Sequence, residues 1–241
     1  MSVTESTRQS AKRSRSPRGS GETLRSDILD ATTELLLEHG DADAVSIRAV
    51  ARKVGVTSPS IYRHFADKDA LIEAVCTRYF EQLNDVLSEA TAGMEHPLEA
   101  LAAQGMAYIR FAVGTPELYR LATMSISHEQ STTDMVLQSS AFAQFADKVS
   151  EAMEIGYYPK GDVLPLVLQL WAAAHGVAAL MIAKPYLPWG DDFALANSVL
   201  QAVCIGQPVV DLLGGDPTPT EAAQWVEQQR AAAAAEKVKK R

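Results

Sequence analysis

Residues 46–68 read SIRAVARKVGVTSPSIYRHFADK and decide the fold of the N-terminal part of the chain. Ser46 can cap a first short helix, in which apolar residues recur at helical spacing. Gly55 can end that helix, because a residue without Cβ adopts the left-handed backbone of a sharp corner. Pro59 suits the first turn of a second helix, where its missing N–H costs nothing. The stretch therefore predicts two short helices that cross steeply, as in a helix-turn-helix.

The charge of this stretch indicates a nucleic-acid partner. Between Ser46 and Ala66 there are no acidic residues, whereas the chain as a whole has a formal net charge of −8. The balance is +2 over residues 1–66 and −10 over residues 67–241. The four basic residues of the stretch are Arg48, Arg52, Lys53 and Arg63. Positive charge concentrated on an otherwise acidic chain predicts that this stretch binds the phosphates of DNA.

Residues 55–75, GVTSPSIYRHFADKDALIEAV, resemble the signature of the TetR/AcrR family of transcriptional regulators. That signature has a short recognition helix, then Tyr-x-His-Phe, then an acidic residue and Lys before a long helix. The resembling region covers about residues 21–79. Trp171, His175 and Gly176 also resemble the Trp-x-x-x-His-Gly element of one C-terminal subclass. The resemblance implies an all-α fold, with a three-helix DNA-binding domain joined by a long helix to a larger helical ligand-binding and dimerisation domain.

We predict that DNA contacts come from the polar side chains of the helix-turn-helix. Ile61 and Phe65 face the core, which leaves the polar residues around them to meet phosphates and base edges. Arg52 and Lys53 are interpreted as a solvated face. The predicted DNA-binding residues are Ser46, Arg48, Thr57, Ser58, Ser60, Tyr62, Arg63, His64 and Lys68.

The family resemblance implies particular roles for three of these residues. Arg48 resembles the family's base-contacting Arg, and Tyr62 and Lys68 resemble its phosphate-gripping Tyr and Lys. His64 matches the Tyr-x-His-Phe element, and its role stays open between direct contact with DNA and a backbone or packing role. Because so small a module makes few contacts, a two-fold symmetric dimer that reads a palindrome is expected.

The rest of the chain also reads as helical, because no segment alternates with period two. Prolines and glycines separate predicted helices at 98–113, 116–127, 132–156, 162–183 and 191–213. The predicted domains are a disordered basic arm (1–20), the helix-turn-helix domain (21–66), a connecting helix (67–90), a helical ligand-binding and dimerisation domain (91–213) and a C-terminal tail (214–241). The arm is either a solubilising tail or an electrostatic contact with DNA. The closing residues 220–241 could form an exposed helix or fray.

The segment at 163–183 is long and apolar enough to be weighed as a membrane span. Gln169 and His175 interrupt it, and no strongly basic flank sets an orientation. We therefore expect burial against a second subunit, with a homodimer formed through 162–183 and 191–213 and no membrane contact. The N-terminus lacks the apolar run of an export signal, so a cytoplasmic protein is expected.

Methionine and aromatic residues of the later helices predict an apolar pocket for an unknown small-molecule effector. The predicted lining residues are Met106, Phe111, Tyr119, Met124, Phe142, Phe145, Trp171 and His175. Ordinary core packing is the competing interpretation of these residues. The family resemblance implies that ligand binding moves the two DNA-binding domains apart and releases the operator.

No catalytic arrangement, phosphate-binding glycine loop or metal motif is visible, so neither an enzyme nor a cofactor is expected. Cys76 and Cys204 lack metal-ligand spacing and are interpreted as buried packing residues in a reducing cytoplasm, rather than as a redox switch. The expected function is a dimeric repressor that binds a palindromic DNA operator and is released by an apolar or amphipathic small molecule. The alternatives are a ligand-independent architectural DNA-binding protein and a helical enzyme or carrier.

Overall fold

The computed structural model describes residues 20–40, 42–124, 140–190 and 193–239. Within these ranges the chain is helical and contains no strand, which confirms the predicted all-α fold. The helices are α1 (Ser20–His39), α2 (Ile47–Val54), α3 (Ser58–Ile61), α4 (Lys68–Thr91), α5 (Pro97–Gly114), α6 (Pro116–Met124), α7 (Ala141–Glu154), α8 (Val163–Ala183), α9 (Ala194–Leu212) and α10 (Pro219–Lys239).

The observed helix ends follow the predicted ones where proline, glycine or a cap marks them. Helix α5 begins at Pro97 behind His96, whose ring nitrogen accepts the Leu98 N–H at 3.2 Å. Helix α8 begins after Asp162, whose carboxylate accepts the Leu164 N–H at 3.0 Å. Residues 125–139, which hold the predicted end of α6 and start of α7, lie outside the described ranges, as do residues 1–19 of the predicted arm.

The chain divides into two compact units, of which the first ends at Ile72. In this first unit α1 packs on α2, and α2 packs on α3. Ile28, Val50 and Ile61 have no exposed surface and form its centre. Phe65 is buried beside them, with the Arg25 guanidinium 5.2 Å from its ring centroid. Ile61 and Phe65, which the sequence pattern assigned to the core, are therefore buried.

The second unit begins at Glu73 and is built around α5. Helix α5 packs against α7, α8 and α9, and α8 also packs against both α7 and α9. Leu101, Val149 and Val167 belong to the buried core between these helices. Cys76 is buried, as expected, whereas Cys204 is only half-buried, and neither forms a disulfide.

Helices α8 and α9 expose much apolar surface in the single chain. The large apolar side chains that are more than a third exposed on these two helices are Leu164, Leu168, Leu180, Leu195, Ile205, Val210 and Leu212. Both helices, Val163–Ala183 and Ala194–Leu212, are long and apolar enough to cross a membrane. Length and composition alone satisfy that criterion, and the core helix of a soluble protein satisfies it equally.

Candidate functional site

The corner between α2 and α3 forms as its glycine and serine predict. The Ser46 hydroxyl accepts the Ala49 N–H at 3.2 Å and caps the start of α2. Gly55 ends α2 with φ 76°, in the left-handed region. The Val56 N–H then donates to the Ala51 carbonyl at 2.9 Å, which closes the turn. These bonds satisfy backbone groups that would otherwise be left unpaired at the helix ends.

The segment after the corner presents a linked row of polar side chains. Helix α3 is short and continues into a turn in which the His64 N–H donates to the Ile61 carbonyl at 2.8 Å. The Thr57 hydroxyl lies 3.1 Å from the Ser60 hydroxyl instead of capping α3. The Arg63 guanidinium donates to the same Ser60 oxygen at 3.1 Å. Three predicted DNA-binding side chains are therefore joined on one exposed surface.

The other predicted DNA-binding side chains differ in how free they are to reach a ligand. Arg48 is exposed, and Tyr62 has 53% of its surface exposed even though it follows the fully buried Ile61. Ser58 and His64 are half-buried. The Lys68 ammonium lies 3.4 Å from the Asp43 carbonyl and 3.8 Å from its carboxylate. A phosphate at Lys68 would therefore compete with an exposed carboxylate nearby.

Lys53, interpreted from sequence as part of a solvated face, is held by helix α1. Its ammonium lies 2.9 Å from the carboxylates of both Glu34 and Glu38. The hydrogen bonds to Glu38 and Glu34 raise the pKa of Lys53, and the hydrogen bond from Lys53 lowers the pKa of Glu38. This lysine thus ties α2 to α1 and is already neutralised within the chain.

The second unit contains a cavity of about 210 Å³. Its walls come from α4, α5, α7, α8 and α9 and are mostly apolar. Three of the side chains predicted to line a pocket, Phe142, Phe145 and Trp171, lie along it. The rings of Phe142 and Trp171 meet edge to face, with centroids 5.2 Å apart. Such a concave, largely apolar cavity is typical of a small-molecule site.

Five residues predicted for the pocket do not line this cavity: Met106, Phe111, Tyr119, Met124 and His175. Phe111 packs instead on Tyr79, with ring centroids 4.9 Å apart. Met124 is exposed at the end of α6. Residue type made these five side chains candidates for the pocket. It could not show which face of each helix meets the cavity.

His175 lies behind the cavity wall, in a hydrogen-bonded aromatic cluster. Its Nδ1 is 2.8 Å from the Tyr119 hydroxyl and 3.2 Å from the Tyr108 hydroxyl. Its ring also packs on Trp171, with centroids 4.9 Å apart. Burial lowers the pKa of His175 and raises the pKa of both tyrosines, which favours a neutral imidazole beside neutral phenols. Because Tyr108 and Trp171 do line the cavity, His175 positions its wall without forming it.

Gln104 is the functional candidate that the residue pattern did not single out. It is only 2% exposed and lines the cavity among apolar neighbours. The sequence does contain a pattern that could have identified Gln104. Leu101, Gln104 and Tyr108 follow one another at helical spacing, which places Gln104 on the buried face of α5. A polar residue within an apolar stripe usually has a specific partner.

No group of three or more His, Cys, Asp or Glu residues in the described ranges is arranged to hold a metal ion. The first unit carries an exposed cationic and hydroxyl-rich surface, and the second unit contains an apolar cavity.

Comparison with known families accounts for both units. Residues 28–75 match the family described as bacterial regulatory proteins, tetR family. Residues 101–203 match the tetracyclin repressor-like C-terminal domain. The first match spans the helix-turn-helix and the second spans most of the cavity-forming helices.

Individual relatives are distant. The chain is 23% identical to the uncharacterized HTH-type transcriptional regulator YobS of Bacillus subtilis over 159 residues. The aligned region covers 66% of this chain and 79% of that protein. The chain is also 39% identical over 87 residues to an HTH-type transcriptional repressor of Mycobacterium tuberculosis, covering 36% of this chain and 45% of that protein. The crystal structure of the transcriptional regulator FadR from Bacillus subtilis in complex with stearoyl-CoA has 18% identity and a TM-score of 0.63, covering 75% of this chain and 98% of that one. At that identity the likeness shows the fold.

Proposed function

The chain belongs to the TetR family of bacterial regulatory proteins, and we propose that it acts as a homodimeric repressor on a palindromic operator, released by a small molecule. As a member of this family it is a DNA-binding transcriptional regulator and not an enzyme. The details of operator, dimer and effector are our proposals. We also place the protein in the cytoplasm, and assignment to the Trp-x-x-x-His-Gly subclass stays a prediction.

The exposed surface of the helix-turn-helix carries the proposal for DNA binding. Arg63, Ser60 and Thr57 are joined by hydrogen bonds on that surface, which favour one arrangement of these side chains in the absence of DNA. Ordering a side chain in advance reduces the entropy lost on binding. Arg48 and Tyr62 are exposed on the same short motif and are free to grip phosphates or base edges.

The apolar surface of α8 and α9 supports a homodimer through about 162–183 and 191–213. Leu164 and Leu168 on α8 and Ile205 and Leu212 on α9 are all more than 40% exposed in the single chain. Exposed apolar surface of this extent marks an interface, and a second copy of the same helices would bury it symmetrically. Each chain then brings one DNA-binding unit to one half of a palindrome.

The cavity supports regulation by a small molecule. Its volume of about 210 Å³ lies within the unit that matches the tetracyclin repressor-like C-terminal domain. The structural neighbour FadR holds stearoyl-CoA, which shows that this fold can accommodate a ligand in one of its members. An effector that binds better to the DNA-free state of the protein would shift the population away from the operator.

The test of DNA binding uses the operator selected from random duplexes by the full-length protein. We expect Arg48→Ala and Tyr62→Ala each to weaken operator binding by about tenfold, since each removes a contact worth about 1–3 kcal/mol. Arg52→Ala is the matched control on the same helix and should bind within about twofold of the unaltered protein. If the double variant Arg48→Ala, Tyr62→Ala still bound the operator fully, the assigned surface would be wrong. Equal affinity for scrambled DNA would instead indicate an architectural protein.

The test of the dimer is the mass in solution at micromolar concentration. Ile205→Glu should yield a monomer, because burying an unpaired carboxylate at the interface is costly. Glu227→Gln, on the exposed helix α10, is the control that should leave the dimer intact. A monomeric mass for the unaltered protein would overturn the proposed dimer.

A further inference from the structure

We infer that the effector of the cavity is a compact, uncharged and mostly apolar molecule carrying a hydroxyl group that donates a hydrogen bond to Oε1 of Gln104. This inference rests on the proposed function and adds the chemical class of the ligand. It follows from the direction of one hydrogen-bonded chain, from the absence of charge in the described cavity wall, and from the size of the cavity.

The first step concerns the direction of the hydrogen bonds that end at Gln104. The Ser88 hydroxyl donates its one hydrogen to the Asn84 carbonyl at 2.9 Å. It must therefore act as acceptor toward Gln144, whose Nε2 lies 2.6 Å away. With its nitrogen turned to Ser88, Gln144 offers its oxygen to the Nε2 of Gln104 at 3.3 Å. In this arrangement the side-chain oxygen of Gln104 is the amide atom that has no partner among the described residues.

That oxygen is buried and has no hydrogen-bond partner among the described residues. Gln104 is only 2% exposed and lines the cavity. A buried acceptor without a partner costs free energy, which a donor supplied by a ligand would recover. If Gln104 turned its nitrogen toward the cavity, it would lose the hydrogen bond from its Nε2 to Gln144. The cavity therefore selects for a hydrogen-bond donor.

The second step concerns charge. No Lys, Arg, His, Asp or Glu is among the described residues that line the cavity. Burial raises the pKa of the Tyr108 and Tyr158 phenols and of the Cys204 thiol, so these lining groups are neutral near pH 7. An anionic ligand would lose its hydration without gaining a counter-charge, which is strongly unfavourable.

The wall also contains both occupied and unpaired hydrogen-bond donors. The Tyr158 hydroxyl donates to the Cys204 carbonyl at 3.4 Å, and Tyr108 lies 3.2 Å from Nδ1 of His175. The Trp171 N–H, on a residue that also lines the cavity, is buried and has no hydrogen-bond partner among the described residues, so it is left to donate to a ligand oxygen. A hydroxyl, which can both donate and accept, suits such a wall better than a carboxylate or phosphate, which only accepts.

The third step concerns size and shape. The cavity of about 210 Å³ is moderately larger than the cavity of about 150 Å³ that binds benzene in another protein. Phe142 and Trp171 present aromatic surfaces to it, and aromatic rings pack favourably against each other. A ligand of one or two fused rings with a single hydroxyl meets all three requirements.

Three probes of nearly equal shape test this inference on the full-length protein: 2-naphthol, naphthalene and 2-naphthoate. Their dissociation constants are measured at pH 7 by titration calorimetry or by competition. We expect 2-naphthol to bind about tenfold more tightly than naphthalene, as one hydrogen bond to a buried acceptor allows. 2-Naphthoate should bind at least about tenfold more weakly than 2-naphthol, because its carboxylate is desolvated. This ranking requires no variant and therefore does not depend on one that folds.

The variant test uses Gln104→Met, which keeps the volume and removes the acceptor. It should bring the affinity for 2-naphthol down to that for naphthalene. Gln82→Met, on the exposed face of α4 and outside the cavity lining, is the matched control and should keep the ranking.

Several outcomes would overturn the inference. These are tighter binding of 2-naphthoate than of 2-naphthol, an unchanged preference for 2-naphthol in a folded Gln104→Met variant, and no measurable binding of any probe at millimolar concentration. Operator binding is measured in the same preparations. If the operator is bound but the probes rank wrongly, the ligand class alone fails. If no operator is bound, the proposed function itself fails, whatever the probes do.

Discussion

The two units of the chain place their functionally important polar side chains in opposite environments, one exposed and one buried. In the first unit the polar residues of the motif lie on the surface and bond to one another, as Thr57, Ser60 and Arg63 do. In the second unit the polar atom that matters most, Oε1 of Gln104, is buried in an apolar wall without a partner. The first arrangement separates binding from folding, because surface side chains can be removed without opening the core. In the second arrangement, the group proposed to recognise the ligand is itself part of the protein interior.

The largest expected effect tests whether the first unit has a tightly packed core beneath its binding surface. Ile61→Ala should lower the free energy of unfolding by about 2–5 kcal/mol, because Ile61 has no exposed surface and its truncation leaves a void. Tyr62→Ala, at the adjacent and exposed position, should change it by less than about 1 kcal/mol. Urea denaturation followed by circular dichroism measures both. Equal losses would show that surface and core are not separated in this unit.

The next effect concerns the turn between α2 and α3, which sets the angle between the two helices of the motif. Gly55→Ala should cost about 1–2 kcal/mol, since φ 76° places a Cβ against the backbone. Gly114→Ala, at the end of α5, is the control: its added Cβ meets nothing within 4 Å and its backbone φ is not positive. Thermal unfolding compares the two variants. A neutral Gly55→Ala would mean that the corner is not the strained point of the motif.

In the second unit, filling the cavity should change the stability only slightly but weaken ligand binding strongly. Ala174 is buried and lines the cavity, so Ala174→Leu should fill part of it. We expect the free energy of unfolding to change by less than about 1 kcal/mol, because the added methyl groups enter existing space. The affinity for 2-naphthol should fall by at least about tenfold, whereas Ala172→Leu, exposed on the same helix, should leave it unchanged. Undiminished binding in Ala174→Leu would place the ligand elsewhere.

The smallest expected effect is a pH dependence from the cluster behind the cavity wall. Burial holds the pKa of His175 in the folded protein below the unfolded value of about 6.5. As pH falls through that value the unfolded chain takes up the proton first, so stability decreases toward acid. Between pH 7.5 and 5.5 the unaltered protein should therefore lose more stability than His175→Gln. Parallel stability curves for the two proteins, from urea denaturation, would contradict this.

The contrast between the units also explains what could be predicted from the sequence. The helix-turn-helix lies within about twenty consecutive residues, so its corner glycine, its cap and its buried Ile61 follow from local spacing. The cavity draws on five helices, and only their packing decides that Phe142 lines it while Phe111 packs on Tyr79. Helical periodicity distinguishes apolar from polar faces. It does not say which apolar face is left incompletely filled.

Lys53 has a consequence for the ionic strength at which the protein works. DNA binding releases the cations condensed on the phosphates, and each phosphate neutralised adds about −0.9 to the slope of log affinity against log salt. The stretch from Ser46 to Ala66 has four basic residues, but the Lys53 ammonium is already paired with Glu34 and Glu38. With Arg52 on the solvated face, two cations of this stretch, Arg48 and Arg63, then displace counterions, for about −1.8 per chain. An operator complex of this protein should thus tolerate salt better than its count of basic residues suggests.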